Sequence, residues 1–421
     1  MTTSNVSCLN FYTKSLQSFI SSPSNFRILR SISPRTPTPR PPPKPLNLTS
    51  LGLNSHEGYY LKRSYDPSTD ALEDDSPTPQ SLPQTLYILD SSFNPPTLGH
   101  AHICLSALRD HYSSSELRQT KARLLLLLST QNADKKITGA TLEERLVGME
   151  CFATDVLKGL THPHSDYHYT QTMRTESRAS ATSESTSRPD AENESGDEEP
   201  SSSDVESECE NHATSTTSTP PNPSNLGPEI EIGLTSLPYF HEKSAAIESS
   251  AIYPPGTTQV HCIGYDTLVR VLNTKYYLRT RDLSPLIPFL QRHKLRVTYR
   301  NTDNGSYTAE DQRKYLSDMS LELPRLGGLS SWITEKRIYM VEGLDGSEIS
   351  SSKVRAMIGC LSVGNPHAKG AGSRKIRGKG LRKEKLIKQK LKGMVGGGVA
   401  KWIMGEKLYY IPKTTSTTIR L

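Results

Sequence analysis

At 421 residues the chain has room for two or three domains, but a hydrophobic content of 34% and a mean hydropathy of −0.55 are low for a chain folded throughout. The net charge of +6 balances separate acidic and basic runs, so by itself it argues little about partners. No segment approaches the roughly twenty apolar residues of a membrane span, and six scattered cysteines with no Cys-x-x-Cys spacing argue against disulfides or a zinc site and fit a reducing compartment.

No acidic residue precedes Glu57, and Arg27, Arg30, Arg35 and Arg40 sit among serines, a composition like that of a mitochondrial transit peptide. Leu9, Tyr12, Leu16, Phe19 and Ile20 nonetheless form a helical apolar stripe, followed by Phe26-Arg27-Ile28-Leu29. Residues 1–34 therefore read as a helix and strand packed on the main domain, with a targeting segment as the alternative. Residues 35–81 read as a Pro- and Ser-rich extended linker.

Residues 85–89 have the apolar character of a buried strand, and residues 102–112 that of a helix with Ile103, Leu105 and Leu108 on its apolar side. Between them lies Ser91-Ser92-Phe93-Asn94-Pro95-Pro96-Thr97-Leu98-Gly99-His100. A small-residue turn leading into a helix N-terminus makes a pocket of backbone N–H groups for an anion, with Thr97 and His100 as a neutral and a potentially cationic donor. Ala122–Ser129, with its five consecutive leucines, reads as a second buried parallel strand. Lys135 and Lys136 follow, then Leu142, Arg145, Leu146 and Met149 at helical spacing.

Residues 174–225 contain no Leu, Ile, Phe, Tyr or Trp, so they cannot bury enough apolar surface to offset their ordering entropy. A disordered acidic insertion within one domain is expected, because a helix over 141–157 precedes it and strands at 229–235 and 259–264 resume the pattern. Gly264-Tyr265-Asp266 stands at the carboxyl end of the latter strand, where open α/β sheets bind ligands and an acidic side chain can hold ribose hydroxyls; a helix cap by Asp266 is the plainer reading.

A strand over 336–342 leads to Ile349-Ser350-Ser351-Ser352-Lys353-Val354-Arg355. The serines supply caps and hydroxyl donors at a helix start, and Arg355 lies one turn along the same face. Each junction alone has an ordinary structural reading. Two such junctions in one chain suggest a polyphosphate held from both ends. Residues 369–392 then carry eleven Lys or Arg and one acid, Glu384. This run fits a nuclear localisation signal or nucleic-acid tether, and at least equally a solvated flexible insertion ahead of an amphipathic stretch of Val399, Ile403, Leu408 and Tyr409. His100 and His102 diverge on a helix start, so no metal-ligating residues are expected.

These residues resemble a known family. SSFNPPTLGH is similar to the (H/T)xGH signature of the nucleotidyltransferase superfamily, and ISSSKVR to its ISSTxxR signature, a pair characteristic of nicotinamide or nicotinate mononucleotide adenylyltransferases. DSSFNPPTLGHAH and GYDTLVRVLNTKYY most resemble the divergent fungal branch that includes the promoter-of-filamentation protein. The resemblance covers residues 82–412, broken by expected disordered insertions at 163–226 and 364–394, with 413–421 as a tail. Two positions depart from the pattern: the usual opening Gly is Ser91, which tolerates close backbone approach less well, and the first His is Thr97.

The resemblance implies a Rossmann-like α/β fold, with a parallel sheet and helices on both faces. It implies direct transfer of AMP from ATP to nicotinamide or nicotinate mononucleotide, giving NAD or its deamido form and pyrophosphate. His100, assisted by Thr97, would donate to the α-phosphate. Ser91, Ser92, Phe93, Asn94 and Gly99 would bind ATP, and Gly264 and Asp266 its adenosine. Ser350, Ser351, Ser352 and Arg355 would hold the leaving phosphates with Mg2+ alongside. Lys135 or Lys136 would reach a substrate phosphate, unless both are solvated surface charges. Catalysis would consist of positioning and charge neutralisation without a covalent intermediate. Two alternatives are an ATP-binding and ATP-hydrolysing protein in stress response or quality control, and a catalytically silent scaffold binding protein partners through its charged insertions. Intact His100 and Arg355 speak against the scaffold. The cytoplasm or nucleus is expected ahead of the mitochondrion, with neither membrane nor nucleic acid as a partner.

Overall fold

Strands with helices on both sides must be apolar at successive positions, and the leucine run of this chain has that character. The computed structural model describes residues 3–33, 85–117, 120, 122–131, 139–161, 228–300, 308–343, 349–362 and 376–411. Strands β1 (Phe26–Ile32), β2 (Thr85–Asp90), β3 (Ala122–Ser129), β4 (Glu229–Thr235), β5 (Thr258–Gly264), β6 (Lys294–Thr298) and β7 (Ile338–Val341) form one sheet in the order β1-β4-β3-β2-β5-β6-β7. β2 to β7 are parallel, and β1 is antiparallel to β4. From β2 the chain winds outward to β4, then crosses back to lay β5, β6 and β7 on the other side. This is the doubly wound, Rossmann-like order, and its reversal point lies between β2 and β5, where the strand ends leave a crevice.

The alternation of β3 shows how the helices divide. Leu124, Leu126 and Leu128 enter one core with Leu105 and Phe152, while Leu125 and Leu127 enter another with Ile247 and Tyr253. Leu105 belongs to α2 (Leu98–Ser113), Phe152 to α3 (Leu142–Thr161) and Ile247 to α4 (Phe240–Ser249). At about 1.5–3 kcal/mol for each fully buried Leu, these five side chains hold β3 in the middle of the sheet. A third core lies under β6, where Val297 and Leu295 meet Leu268 of α5 (Tyr265–Val271) and Leu290 of α6 (Ile287–Arg292). Helices α7 (Ala309–Glu322), α8 (Ser331–Thr334), α9 (Ser351–Ser362), α10 (Ile376–Lys392) and α11 (Gly397–Glu406) complete the fold.

Helix α1 (Thr3–Ile20) buries Tyr12, Leu16 and Phe19, while Ile20 of the predicted stripe is 64% exposed. One carboxylate ties this region down: Glu150 of α3 accepts from Tyr12 Oη at 2.8 Å and from Cys8 Sγ at 3.2 Å, and pairs with Arg30 at 2.6 Å.

Within residues 364–394, read from the sequence as a disordered insertion, Ile376 to Lys392 form α10, while 364–375 lie outside the described residues. Ile387 and Leu391, four apart and so on one face, are buried in the main core, with basic side chains such as Lys388 and Lys390 turned outward. Leu408 and Tyr409 lie past the end of α11, where Lys407 and Tyr409 adopt left-handed backbone. Among the described residues no helix is long and apolar enough to cross a membrane. The expected linker, the acidic segment 174–225, Lys135, Lys136 and the tail lie outside the described residues.

Candidate active site

β2 ends at Asp90, whose carboxylate forms a buried ion pair with Lys243 of α4. The chain then turns into α2. Phe93 is fully buried with φ of 44°, packing against the rings of His100 at 5.6 Å and Phe152 at 6.3 Å. Left-handed backbone at a bulky residue costs about 1–3 kcal/mol and persists only where surrounding packing over-determines it. Asn94, 4% exposed, accepts from the Ala140 N–H at 3.2 Å. The next residue back must be glycine, because at Gly139 φ is +80° and a Cβ would stand 2.9 Å from Asn94 Oδ1.

α2 begins at Leu98, ahead of the predicted residue 102, which makes Thr97 the N-cap and His100 the third helical residue. The Thr97 N–H donates to His100 Nδ1 at 3.0 Å. A backbone N–H can only donate, so Nδ1 is bare and the proton of the neutral ring sits on Nε2. Nε2 in turn donates to Ser91 Oγ at 2.9 Å. Burial lowers the His100 pKa to about 4, so the ring is a neutral donor at physiological pH instead of the potential cation read from the sequence. Thr97, only 1% exposed, donates its hydroxyl proton to the Ile349 carbonyl at 3.1 Å, with Oγ1 2.8 Å from Nδ1, so the bond that orients the imidazole is the one from its backbone N–H. The Leu98 N–H is taken by the Met394 carbonyl at 2.9 Å, while the Gly99 N–H has no partner among the described residues.

The second junction docks on the first. Ser351 Oγ donates to the Pro95 carbonyl at 2.8 Å, and Arg355 donates to the Asn94 carbonyl at 2.5 Å and to Ser352 Oγ at 3.1 Å. Ser350 Oγ caps α9, accepting from the Lys353 N–H at 3.2 Å. Beneath them Arg145 donates to the Ala140 carbonyl at 2.9 Å and to the Ser92 carbonyl at 3.4 Å; burial, with Arg355 nearby, lowers its pKa.

A cavity of about 260 Å3 opens at the crevice between β2 and β5. Thr97, Gly99 and His100 line it from the first junction, Ser350 and Ser351 from the second, and Gly264 and Asp266 from the end of β5. These predicted residues, up to 250 positions apart in sequence order, therefore share one pocket. Ser91, Ser92, Phe93, Asn94, Ser352 and Arg355 shape the turn and its clamp without lining the cavity. The sequence reading missed Arg300, which lines the cavity and pairs with Asp266. Arg300 is held from behind by the fully buried Gln312, which accepts from its N–H at 3.0 Å and donates to its carbonyl at 2.7 Å. Also missed was an aromatic cluster beyond the end of β4: Tyr239 stacks on His241 at 6.0 Å, and Tyr277 lies 5.7 Å from His241. Among the described residues no three His, Cys, Asp or Glu side chains converge as a metal site.

The sheet order and the pocket at its reversal point define a Rossmann-like α/β protein. No family model matches the chain. Over 274 residues, 65% of its length and 75% of the other's, the chain is 25% identical to a Schizosaccharomyces pombe protein provisionally named nicotinamide mononucleotide adenylyltransferase.

Proposed function

We propose that the chain transfers AMP from ATP to nicotinamide or nicotinate mononucleotide, releasing pyrophosphate and forming NAD or its deamido counterpart. A 5′-phosphate oxygen of the mononucleotide bonds to the α-phosphorus as the bond to the bridging oxygen breaks. The observation that carries this reading is the tautomer-fixed, neutral His100 Nε2–H beside the Gly99 N–H, which has no partner among the described residues. Donors fixed in advance where charge develops on the α-phosphoryl oxygens lower the barrier without reorganising. Asp266 serves the adenosine ribose. Ser351 and Arg355 exchange the Pro95 and Asn94 carbonyls for oxygens of the leaving pyrophosphate, a stronger anionic acceptor. The faces of Tyr239 and His241 suit the flat pyridine ring. Mg2+ would be carried by the phosphate oxygens and water, neutralising charge, as the described donor set fits a nucleotide-borne ion better than a protein cage.

Incubation with ATP, Mg2+ and each mononucleotide, resolving NAD, deamido-NAD, pyrophosphate, ADP and AMP, tests the proposal. A dinucleotide with matching pyrophosphate is the expected result. ADP and phosphate without dinucleotide would establish the hydrolytic alternative instead.

A further inference from the structure

Resting on that reading, we infer that Ser91 carries the donor of His100 to the phosphate, so that the α-phosphoryl oxygen is held by the Ser91 hydroxyl, itself held by His100 Nε2–H. Ser91 stands at the end of β2, its N–H still bonded to the Leu127 carbonyl of β3 at 3.3 Å. Among the described residues its Oγ has one hydrogen-bond partner, His100 Nε2 at 2.9 Å. Because Thr97 N–H occupies Nδ1, Ser91 must be the acceptor in that bond. Its own O–H then points away from the imidazole with no partner among the described residues; Ser91 is outside the cavity lining but partly exposed beside His100, which is part of it. A hydroxyl that accepts one hydrogen bond is polarised into a stronger donor of the next.

The imidazole has little freedom to bypass this arrangement. Its Nδ1 edge is fixed by the Thr97 N–H, and the rings of Phe93 and Phe152 pack around it. Direct donation from Nε2 to a phosphate would break the bond to Ser91 and strand its hydroxyl. Relayed donation keeps both bonds and adds a third. No proton changes owner, and the chain Thr97 N–H, His100, Ser91 O–H, phosphoryl oxygen is hydrogen bonding throughout. A glycine at position 91 could not take part, so the relay belongs to chains with a hydroxyl there.

The test is a double-mutant cycle on the full chain: Ser91→Ala, His100→Ala and the double variant, with Ser91→Thr and Ser91→Gly beside them, read in turnover and in ATP affinity. Expected for Ser91→Ala is a loss of about a hundredfold in kcat, the low end of the range for one charge-stabilising donor, with the mononucleotide KM unchanged. Ser91→Thr should retain most activity, and the double variant should be no worse than His100→Ala, because two links of one relay do not add. The relay is overturned if Ser91→Ala or Ser91→Gly matches or exceeds wild type, or if the two losses multiply. ATP affinity reads the same coupling without transfer, so a wild-type chain making no dinucleotide would sink the proposed function while leaving the relay open to the binding cycle.

Discussion

The two strand-to-helix junctions that meet at the cavity are built in opposite ways. Every residue from Phe93 to Gly99 is buried, and the left-handed backbone at Phe93 is pinned by ring packing. Around the second junction Ser352 and Lys353 are exposed, and Ser350, Ser351 and Arg355 are only partly covered. That junction is attached to the first by side-chain bonds to backbone carbonyls, from Thr97 to Ile349, Ser351 to Pro95 and Arg355 to Asn94. A neutral hydrogen bond nets about 0.5–1.5 kcal/mol and a charged one about 1.5–3, against about 3–5 for truncating a buried Phe. The first junction is therefore a preorganised platform, and the second a clamp whose donors can be re-paired with phosphate.

The contrast would be broken first by stability. Phe93→Ala should cost about 3–5 kcal/mol in denaturant unfolding, as buried Phe truncations do, whereas Arg355→Ala should cost far less. Equal losses would mean that the clamp is as structural as the platform. His100→Ala should keep the fold yet lower turnover at least about a hundredfold with both substrates saturating, since a donor is lost from a fixed site. Near wild-type turnover would remove His100 from the chemistry.

Arg355→Ala should weaken ATP and pyrophosphate by roughly one to two decades, the worth of a charge-assisted contact of about 1.5–3 kcal/mol, and leave mononucleotide affinity alone. Arg355→Lys should restore part, because an ammonium keeps the charge without the fork. Titrating the three ligands separately distinguishes this from misfolding, which would weaken all of them. Acid sharpens the comparison further. Folded His100 resists protonation down to about pH 4 while the unfolded ring accepts a proton near 6.5, so acid favours unfolding between those values. The slope is at most about 1.4 kcal/mol per pH unit, and urea midpoints against pH should show His100→Ala losing this component. The smallest effect concerns neither junction: deleting 174–225 should leave the melting temperature and ATP affinity in place, because α3 and β4 are complete on either side of it. A drop of several degrees would show that the segment packs.

What could be read in advance follows from how local the signal was. The five leucines of β3 and the alternating Glu229–Thr235 strand announce themselves, because the sheet forces their pattern into contiguous sequence. The two junctions were legible through small residues and serines at helix starts. The start of α2 lies earlier than the sequence suggests, since Thr97 and Gly99 carry weak helix propensity and the Met394 carbonyl that supports Leu98 comes from far along the chain. The helix α10 was hidden because its buried positions, Ile387 and Leu391, are outnumbered by Lys and Arg. Arg300 left no trace at all. It follows β6 in an unremarkable polar loop, and only the sheet order brings it to Asp266.

The edge strand β1 has a consequence for the order in which the molecule is made. Its partner β4 lies far downstream, and Thr235 donates to the Asn25 carbonyl across a separation of 210 residues. During synthesis β1 must wait for residues 33–228 and then for β4 itself before its ladder can form. Until then the outer edge of the growing sheet is open, as is the apolar face of α1. Long-range pairing of this kind is slow because loop closure precedes its reward. β1 is thus seated only after residues 33–228 have been made, and until Glu150 receives Tyr12 and Arg30 the apolar face of α1 stays open to chaperones and to neighbouring chains.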